Sequence, residues 1–233
     1  MVIHCPWRVI VWDLDDTLIL ERDFVRSGFR AVAAHVAGRC AVDAGAVSDF
    51  LWSGFESGVR GNAFDRVHEH FPETRSIPVA AIVEAYRTHC PDIQITDEAL
   101  LILRRLRQAG AAQAAITDGP LAGQRSKADA VGLNDLIDLV VFTDEWGREF
   151  WKPHDRAFLT VQERFGAAPG DCVYIGDNPS KDFVSPRALG WGSIRLRRDG
   201  QLHAALEDGT PAELTARGWN ELAELLGVGE ETI

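Results

Sequence analysis

Residues 7–17, Trp-Arg-Val-Ile-Val-Trp-Asp-Leu-Asp-Asp-Thr, join an apolar run to a cluster of acids. The β-branched and aromatic residues from Trp7 to Trp12 are typical of a short buried strand. The run ends abruptly in three aspartates, Asp13, Asp15 and Asp16. Carboxylates that follow a buried strand cost free energy unless water, a cationic side chain or a bound cation compensates their charge. This segment therefore predicts a core strand with acids at its carboxyl end.

The next stretch, residues 20–95, has a helical pattern and no convincing strand. Its first predicted helix has four apolar residues at the spacing of one helix face: Val25, Phe29, Val32 and Val36. Three more short helices are predicted, over residues 43–55, 62–71 and 78–90, with Gly, Pro and polar breaks between them. We interpret the stretch as an all-helical domain inserted after the first strand.

From Thr96 onward, predicted strands alternate with predicted helices. The strands cover residues 111–116, 139–143, 171–175 and 192–196. The helices cover residues 97–109, 121–131, 153–165, 186–189 and 219–226, with Pro153 in a first turn and Ser185 as an N-cap before Pro186. Such alternation predicts a parallel sheet with helices on both faces. The fold class is therefore α/β, with a core of residues 1–19 and 96–233 and an all-helical insert of residues 20–95.

Composition restricts the partners and the location. The 233 residues include 35 acids against 24 Lys and Arg, a net charge of −11, which argues against binding to nucleic acid or to an anionic membrane surface. The four cysteines lie far apart without a CxxC pair, as expected for reduced thiols in a cytoplasm. Neither a basic-then-apolar leader nor a long apolar run is present, so we expect a cytoplasmic protein without a membrane span.

Ligands of a parallel α/β sheet bind beyond the carboxyl ends of its strands. Polar residues at or near these ends, or in connecting loops, form one candidate site: Asp13, Asp15, Thr117, Lys152, Asp177 and Asp182. Clustered carboxylates suit a hard cation such as Mg²⁺, which also binds substrate phosphate. A carboxylate can attack phosphorus to form an aspartyl-phosphate, while a metal ion and Lys152 would screen the phosphoryl charge.

These segments, in this order, resemble the four motifs of the haloacid dehalogenase (HAD) superfamily of phosphohydrolases. The matching residues are Asp13-Leu-Asp15-Asp-Thr17, Thr117, Lys152-Pro153 and Gly176-Asp177-Asn-Pro-Ser-Lys-Asp182. The resemblance implies a Rossmann-like core, with the helical insert as a small α-helical cap. It also implies a Mg²⁺-dependent phosphomonoester hydrolase acting on a small phosphorylated metabolite.

The resemblance also implies a role for each matched residue. Asp13 would be the nucleophile, and Asp15 would be the general acid and base. Thr117 would donate a hydrogen bond to the phosphoryl group, and Lys152 would balance the charge of nucleophile and phosphate.

The same resemblance implies a metal site. Asp13, Asp177 and the backbone carbonyl of Asp15 would hold Mg²⁺, and Asp182 would support the metal or Lys152.

Asp15 distinguishes two branches of the resembled family. The dehalogenase branch lacks an acid at this position, and the phosphatase branch has one. A departing halide needs no proton, whereas an alkoxide does. Asp15 therefore favours the phosphatase interpretation. Two alternatives stay open: a phosphomutase that uses the same residues, and a non-catalytic partner-binding protein of the same fold.

Substrate contacts are predicted at three positions, Thr17, Asp118 and Arg26. Asp118 stands where many relatives have Asn after the motif threonine, and Lys181 is a second departure from the family pattern. Arg26 is the middle member of a stripe, with Arg22 and Arg30, that borders the apolar face of the first predicted helix. Such a stripe either is a solvated edge or binds a substrate with a second negative charge.

Overall fold

The computed structural model describes residues 5–207 and 209–229. The chain forms two compact units. The core unit comprises the residues up to Arg22 together with those from Gln94 onward, and the helical unit comprises Asp23–Ile93.

The core unit is built on a six-stranded sheet in which every neighbouring pair is parallel. The strands lie in the order β3-β2-β1-β4-β5-β6. Their bounds are β1 Val9–Trp12, β2 Ala112–Thr117, β3 Leu139–Phe142, β4 Cys172–Gly176, β5 Gly192–Leu196 and β6 Leu214–Ala216. The predicted α/β class, a parallel sheet core with an all-helical insert, is confirmed. The short edge strand β6 was not predicted, because three residues carry too little pattern.

Strand β1 lies inside the sheet, between β2 and β4, and all four of its residues are buried. Val9 pairs with Ala112 on one side and with Cys172 on the other. A strand covered on both faces needs apolar residues throughout, which explains the continuous apolar run. The backbone N–H of Asp13 donates to the Ile175 carbonyl at 2.8 Å, so the β1–β4 pairing extends up to the first acid.

Helices surround the sheet within the core unit. Their bounds are α5 Asp97–Gln108, α6 Leu121–Ala130, α7 Leu133–Leu136, α8 Arg156–Phe165, α9 Val184–Leu189 and α10 Trp219–Leu225. Asp97 and Glu98 in the first turn of α5 and Arg105 and Arg107 in its last turn suit the helix dipole.

Two predicted helix starts are wrong. Helix α8 begins at Arg156 rather than at Pro153. Ser185 and Pro186 lie inside α9 rather than at its start. The Ser185 hydroxyl donates to the carbonyl of Pro153, so a long-range partner takes the group that was expected to cap the helix.

The helical unit packs four helices around its own core. Helix α1 covers Glu21–Ala37, and all but its first two residues belong to this unit. Helix α2 covers Ala44–Glu56, α3 covers Ala63–His70 and α4 covers Val79–Arg87, with a 3₁₀ helix at Pro72–Ser76. The apolar face predicted for α1 is buried, including Phe29, Val32 and Val36. Asp43 caps α2, since its Oδ1 accepts from the Ala46 N–H at 2.8 Å. Among the helices formed by residues 5–207 and 209–229, none combines the length and the apolar composition that a membrane span requires.

Candidate active site

Lys152 stands at the centre of a buried polar cluster. Its Nζ lies 2.8 Å from Asp13 Oδ1, 2.9 Å from Asp182 Oδ1 and 2.7 Å from the Tyr174 hydroxyl oxygen. The contacts with Asp13 and Tyr174 are hydrogen bonds donated by the ammonium group, and the contact with Asp182 is an ion pair. Burial alone would lower the pKa of Lys152, but the charges of Asp13 and Asp182 raise it well above its usual value. Lys152 is therefore a permanent cation.

The carboxylates around this lysine form an acidic cluster. Asp13, Asp177 and Asp182 each offer an oxygen within 4.8 Å of the others. Asp182 reaches the cluster because residue 176 is glycine: a Cβ there would lie 2.6 Å from Asp182 Oδ2. Although burial opposes ionisation, the charges of Lys152 and Lys181 hold the pKa of Asp182 below its ordinary value.

Three carboxylates share this cluster with one buried lysine, Lys152. Burial raises the pKa of Asp13 to about 7, and the charge of Asp182 adds to the rise against the opposing effect of Lys152. Burial, followed by the charges of Asp182 and Asp13, raises the pKa of Asp177 to about 9. Asp177 Oδ2 is buried and accepts no hydrogen bond from the described residues. Clustered acids that hold their protons unusually tightly, with one buried oxygen unused, fit a site where a hard divalent cation can take the place of those protons.

The carboxylate of Asp15 accepts hydrogen bonds from different residues than that of Asp13 does. Lys127 Nζ donates to both of its carboxylate oxygens, at 2.7 and 2.8 Å, and Gln124 Nε2 donates to Oδ2 at 2.9 Å. The Thr117 hydroxyl donates to Gln124 Oε1 at 2.9 Å, which links Thr117 to the same group. Neither Gln124 nor Lys127 was predicted as a site residue. Their polarity on a short helix is typical of an exposed face, and no local pattern distinguishes a buried lysine from an exposed one.

Asp118 connects three loops at this edge of the sheet. Its Oδ1 accepts from the Thr143 hydroxyl at 2.8 Å and from the Lys152 backbone N–H at 3.1 Å, and its Oδ2 lies 3.4 Å from Lys181 Nζ. The two departures from the family pattern, Asp118 and Lys181, therefore face each other as an ion pair. The role of Asp118 as a substrate contact stays a prediction.

The two other predicted substrate contacts are Thr17 and Arg26. Thr17 is fully buried, and its hydroxyl has no hydrogen-bond partner among the described residues. In the helical unit, the Arg26 guanidinium lies 4.9 Å from the centre of the Trp52 ring. Arg30 forms an exposed ion pair with Asp92 at 2.7 Å. The predicted substrate roles of Thr17 and Arg26 stay predictions.

Comparisons with known proteins identify the family of the chain. A family model for haloacid dehalogenase-like hydrolases matches residues 7–190. The chain is 26% identical to a glyceraldehyde 3-phosphate phosphatase of Methanopyrus kandleri, over 82% of this chain and 84% of that protein. It is 24% identical to the protein of the same name in Methanocaldococcus jannaschii, over 93% and 96%. A HAD family hydrolase of Deinococcus radiodurans R1, solved with bound phosphate and sodium, has a TM-score of 0.62 at 20% identity, covering 95% of this chain and 96% of that one.

The chain belongs to the haloacid dehalogenase-like hydrolase family and is an enzyme of the phosphatase type within it. The predicted membership of the HAD phosphohydrolases is thereby confirmed.

The raised pKa values of Asp13 and Asp177 predict how the stability of the metal-free protein depends on pH. Each folded-state pKa lies above the unfolded value, so the folded chain binds these protons more tightly. The free energy of unfolding should therefore fall as the pH rises from about 4, the ordinary pKa of Asp, to about 9, the raised pKa of Asp177. Thermal unfolding in excess chelator measures this slope. The Asp177→Asn variant should show a clearly shallower slope, and an unchanged slope would contradict the assignment.

Proposed function

We propose that this protein is a Mg²⁺-dependent phosphomonoester hydrolase that acts on a small phosphorylated metabolite through an aspartyl-phosphate on Asp13. The observation that carries the proposal is the contact of Asp13 with the buried cation Lys152, at 2.8 Å, at the carboxyl end of an inner strand. The names of the two archaeal relatives support a phosphorylated metabolite as the substrate.

Asp13 must be ionised to attack phosphorus. Burial works against this, and Lys152 favours the charged form. In the first step an oxygen of Asp13 forms a bond to phosphorus while the bond to the leaving oxygen breaks, and Asp15 gives that oxygen a proton. In the second step water attacks the same phosphorus and transfers a proton to Asp15. The bond to Asp13 then breaks and inorganic phosphate leaves.

The acidic cluster fits the metal ion that the family implies, because Asp177 has an unused buried oxygen and three carboxylates each offer an oxygen within 4.8 Å of the others. Asp13, Asp177 and the backbone carbonyl of Asp15 would hold the ion, with Asp182 in support. When bound, Mg²⁺ supplies positive charge that offsets the charge of the phosphoryl group and of the acids. When substrate binds, Thr117 would turn its single hydroxyl hydrogen from Gln124 Oε1 to a phosphoryl oxygen. The helical unit would act as the cap domain.

A phosphate-release assay tests the proposal. The purified protein with Mg²⁺ is offered glyceraldehyde 3-phosphate, other phosphorylated metabolites and 4-nitrophenyl phosphate, without any bisphosphate or acceptor. We expect inorganic phosphate with at least one metabolite, and its loss in excess chelator. Full activity after complete metal removal would contradict the metal role. A strict need for a bisphosphate would instead indicate a phosphomutase.

A further inference from the structure

Helix α6 contributes two buried polar side chains, Gln124 and Lys127, to the carboxylate of Asp15. The Lys127 side chain is 6% exposed, and Gln124 is 5% exposed. We propose that these residues form a clamp that fixes the orientation of the Asp15 carboxylate for both proton transfers. They are positioning residues, because they act through Asp15. The inference rests on the proposed function, since Asp15 is the proton donor and acceptor of that reaction.

The contacts of Lys127 hold the carboxylate on both sides. Its Nζ lies 2.7 Å from one oxygen of Asp15 and 2.8 Å from the other, so rotation of the carboxylate about its own axis would break at least one contact. The side chain of Asp15 is 21% exposed, whereas that of Asp13 is 3% exposed. Asp15 is therefore the acid with access to water, and packing alone does not fix it.

Gln124 links the carboxylate of Asp15 to Thr117 through two hydrogen bonds. Its Oε1 accepts from the Thr117 hydroxyl, and its Nε2 donates to Asp15, so each end of the amide has a defined partner. Residue 119 is a glycine at φ +128°, and a Cβ there would lie 2.6 Å from Gln124 Nε2. The chain thus leaves room for the amide between the residue proposed to bind the phosphoryl group and the residue proposed to transfer the proton.

Neighbouring acids compensate the buried charge of Lys127. Burying an ammonium group is costly unless acids surround it. Asp15 supplies that charge by direct contact, and Glu21 also feels the charge of Lys127, which opposes the rise that burial causes in the Glu21 pKa. An ion pair with a merely structural role would stabilise the fold without affecting proton transfer. The two roles therefore predict different kinetics.

The deciding experiment compares two substrates in the Lys127→Met variant. An alkyl phosphate needs protonation of its leaving oxygen, whereas 4-nitrophenyl phosphate has a stable leaving anion. Since kcat/KM reports the steps up to formation of the phosphoryl-enzyme, we expect it to fall about 100-fold for the alkyl phosphate. For the aryl phosphate we expect a fall of less than about 10-fold, because little proton donation is needed. In the Gln124→Met variant, kcat/KM should also fall more for the alkyl phosphate than for the aryl phosphate, but by a smaller factor. This variant provides the test if Lys127→Met does not fold.

A matched control lies on the same helix. Arg125 forms an exposed ion pair with Glu145 at 2.7 Å. The Arg125→Met variant should therefore keep the wild-type kcat/KM for both substrates. The double variant Asp15→Asn with Lys127→Met should be no slower than Asp15→Asn alone, because the clamp acts only through Asp15. Equal losses on both substrates, or additive losses in the double variant, would overturn the proposal. If Asp15→Asn itself shows no contrast between the substrates, the proposed role of Asp15 fails, which is a separate outcome.

Discussion

Replacing Asp13 by asparagine should abolish turnover, with a loss of about 10⁴-fold or more in kcat. The amide has almost the same size as the carboxylate and can still accept from Lys152, so the local packing should persist. It has no negative charge, however, and cannot form the phosphoryl-enzyme. The measurements are phosphate release and the mass of the acid-quenched protein after exposure to substrate. The wild-type protein should show the added mass of a phosphoryl group, and the variant should not.

A matched acid controls for general effects of removing a charge from the core unit. Asp171 lies just before β4 and forms an ion pair with the exposed Arg8 at 3.2 Å, so Asp171→Asn should retain turnover. Retained turnover in Asp13→Asn, with the phosphoryl group on another acid, would show that Asp13 is not the nucleophile.

Replacing Lys152 by methionine should impair both catalysis and stability. We expect kcat to fall by about 10³-fold, because the charge that favours ionised Asp13 and screens the phosphoryl group is lost. The substitution also leaves Asp13 and Asp182 buried without their shared cation. Breaking a buried ion pair on one side typically costs about 3–5 kcal/mol. Lys152→Arg should fail as well, since a planar guanidinium does not fit between three oxygens arranged around a point charge.

The sign of the pH dependence separates a charge effect from a packing effect at Lys152. Without the cation, the folded-state pKa of Asp13 and of Asp182 should rise, so the folded protein binds their protons more tightly than the unfolded chain does. The loss of stability relative to wild type should then be larger at pH 8 than at pH 5. Chemical unfolding at the two pH values, with chelator present, measures the difference.

Adding Asp13→Asn to Lys152→Met tests whether unbalanced charge causes the loss of stability. The double variant Lys152→Met with Asp13→Asn removes one of the two uncompensated charges, so it should be more stable than Lys152→Met alone while staying inactive. If the double variant is less stable than either single variant, lost packing rather than unbalanced charge explains the effect.

Much of the architecture follows from local patterns in the chain. The apolar run ending at Trp12 predicts a short buried strand, and all four residues of β1 are buried. Alternating strands and helices predict a parallel sheet, whose strands all end at one edge. For that reason residues as distant in sequence as Asp13 and Lys152 can be expected to meet, and they do, at 2.8 Å. The spacing of apolar residues likewise predicts the buried face of α1.

The partners within the site depend on tertiary packing. Tyr174 is a core residue by its strand pattern, yet its hydroxyl accepts a hydrogen bond from Lys152. Lys127 has the character of an exposed helix residue, yet it is buried against Asp15, 112 positions earlier in the chain. Ser185 has the sequence context of an N-cap, yet it donates to the Pro153 carbonyl. Local sequence patterns report interactions within a few residues and the average burial of a face. A hydrogen bond or ion pair between distant segments depends instead on how the elements pack, which is why these contacts emerge only in the folded chain.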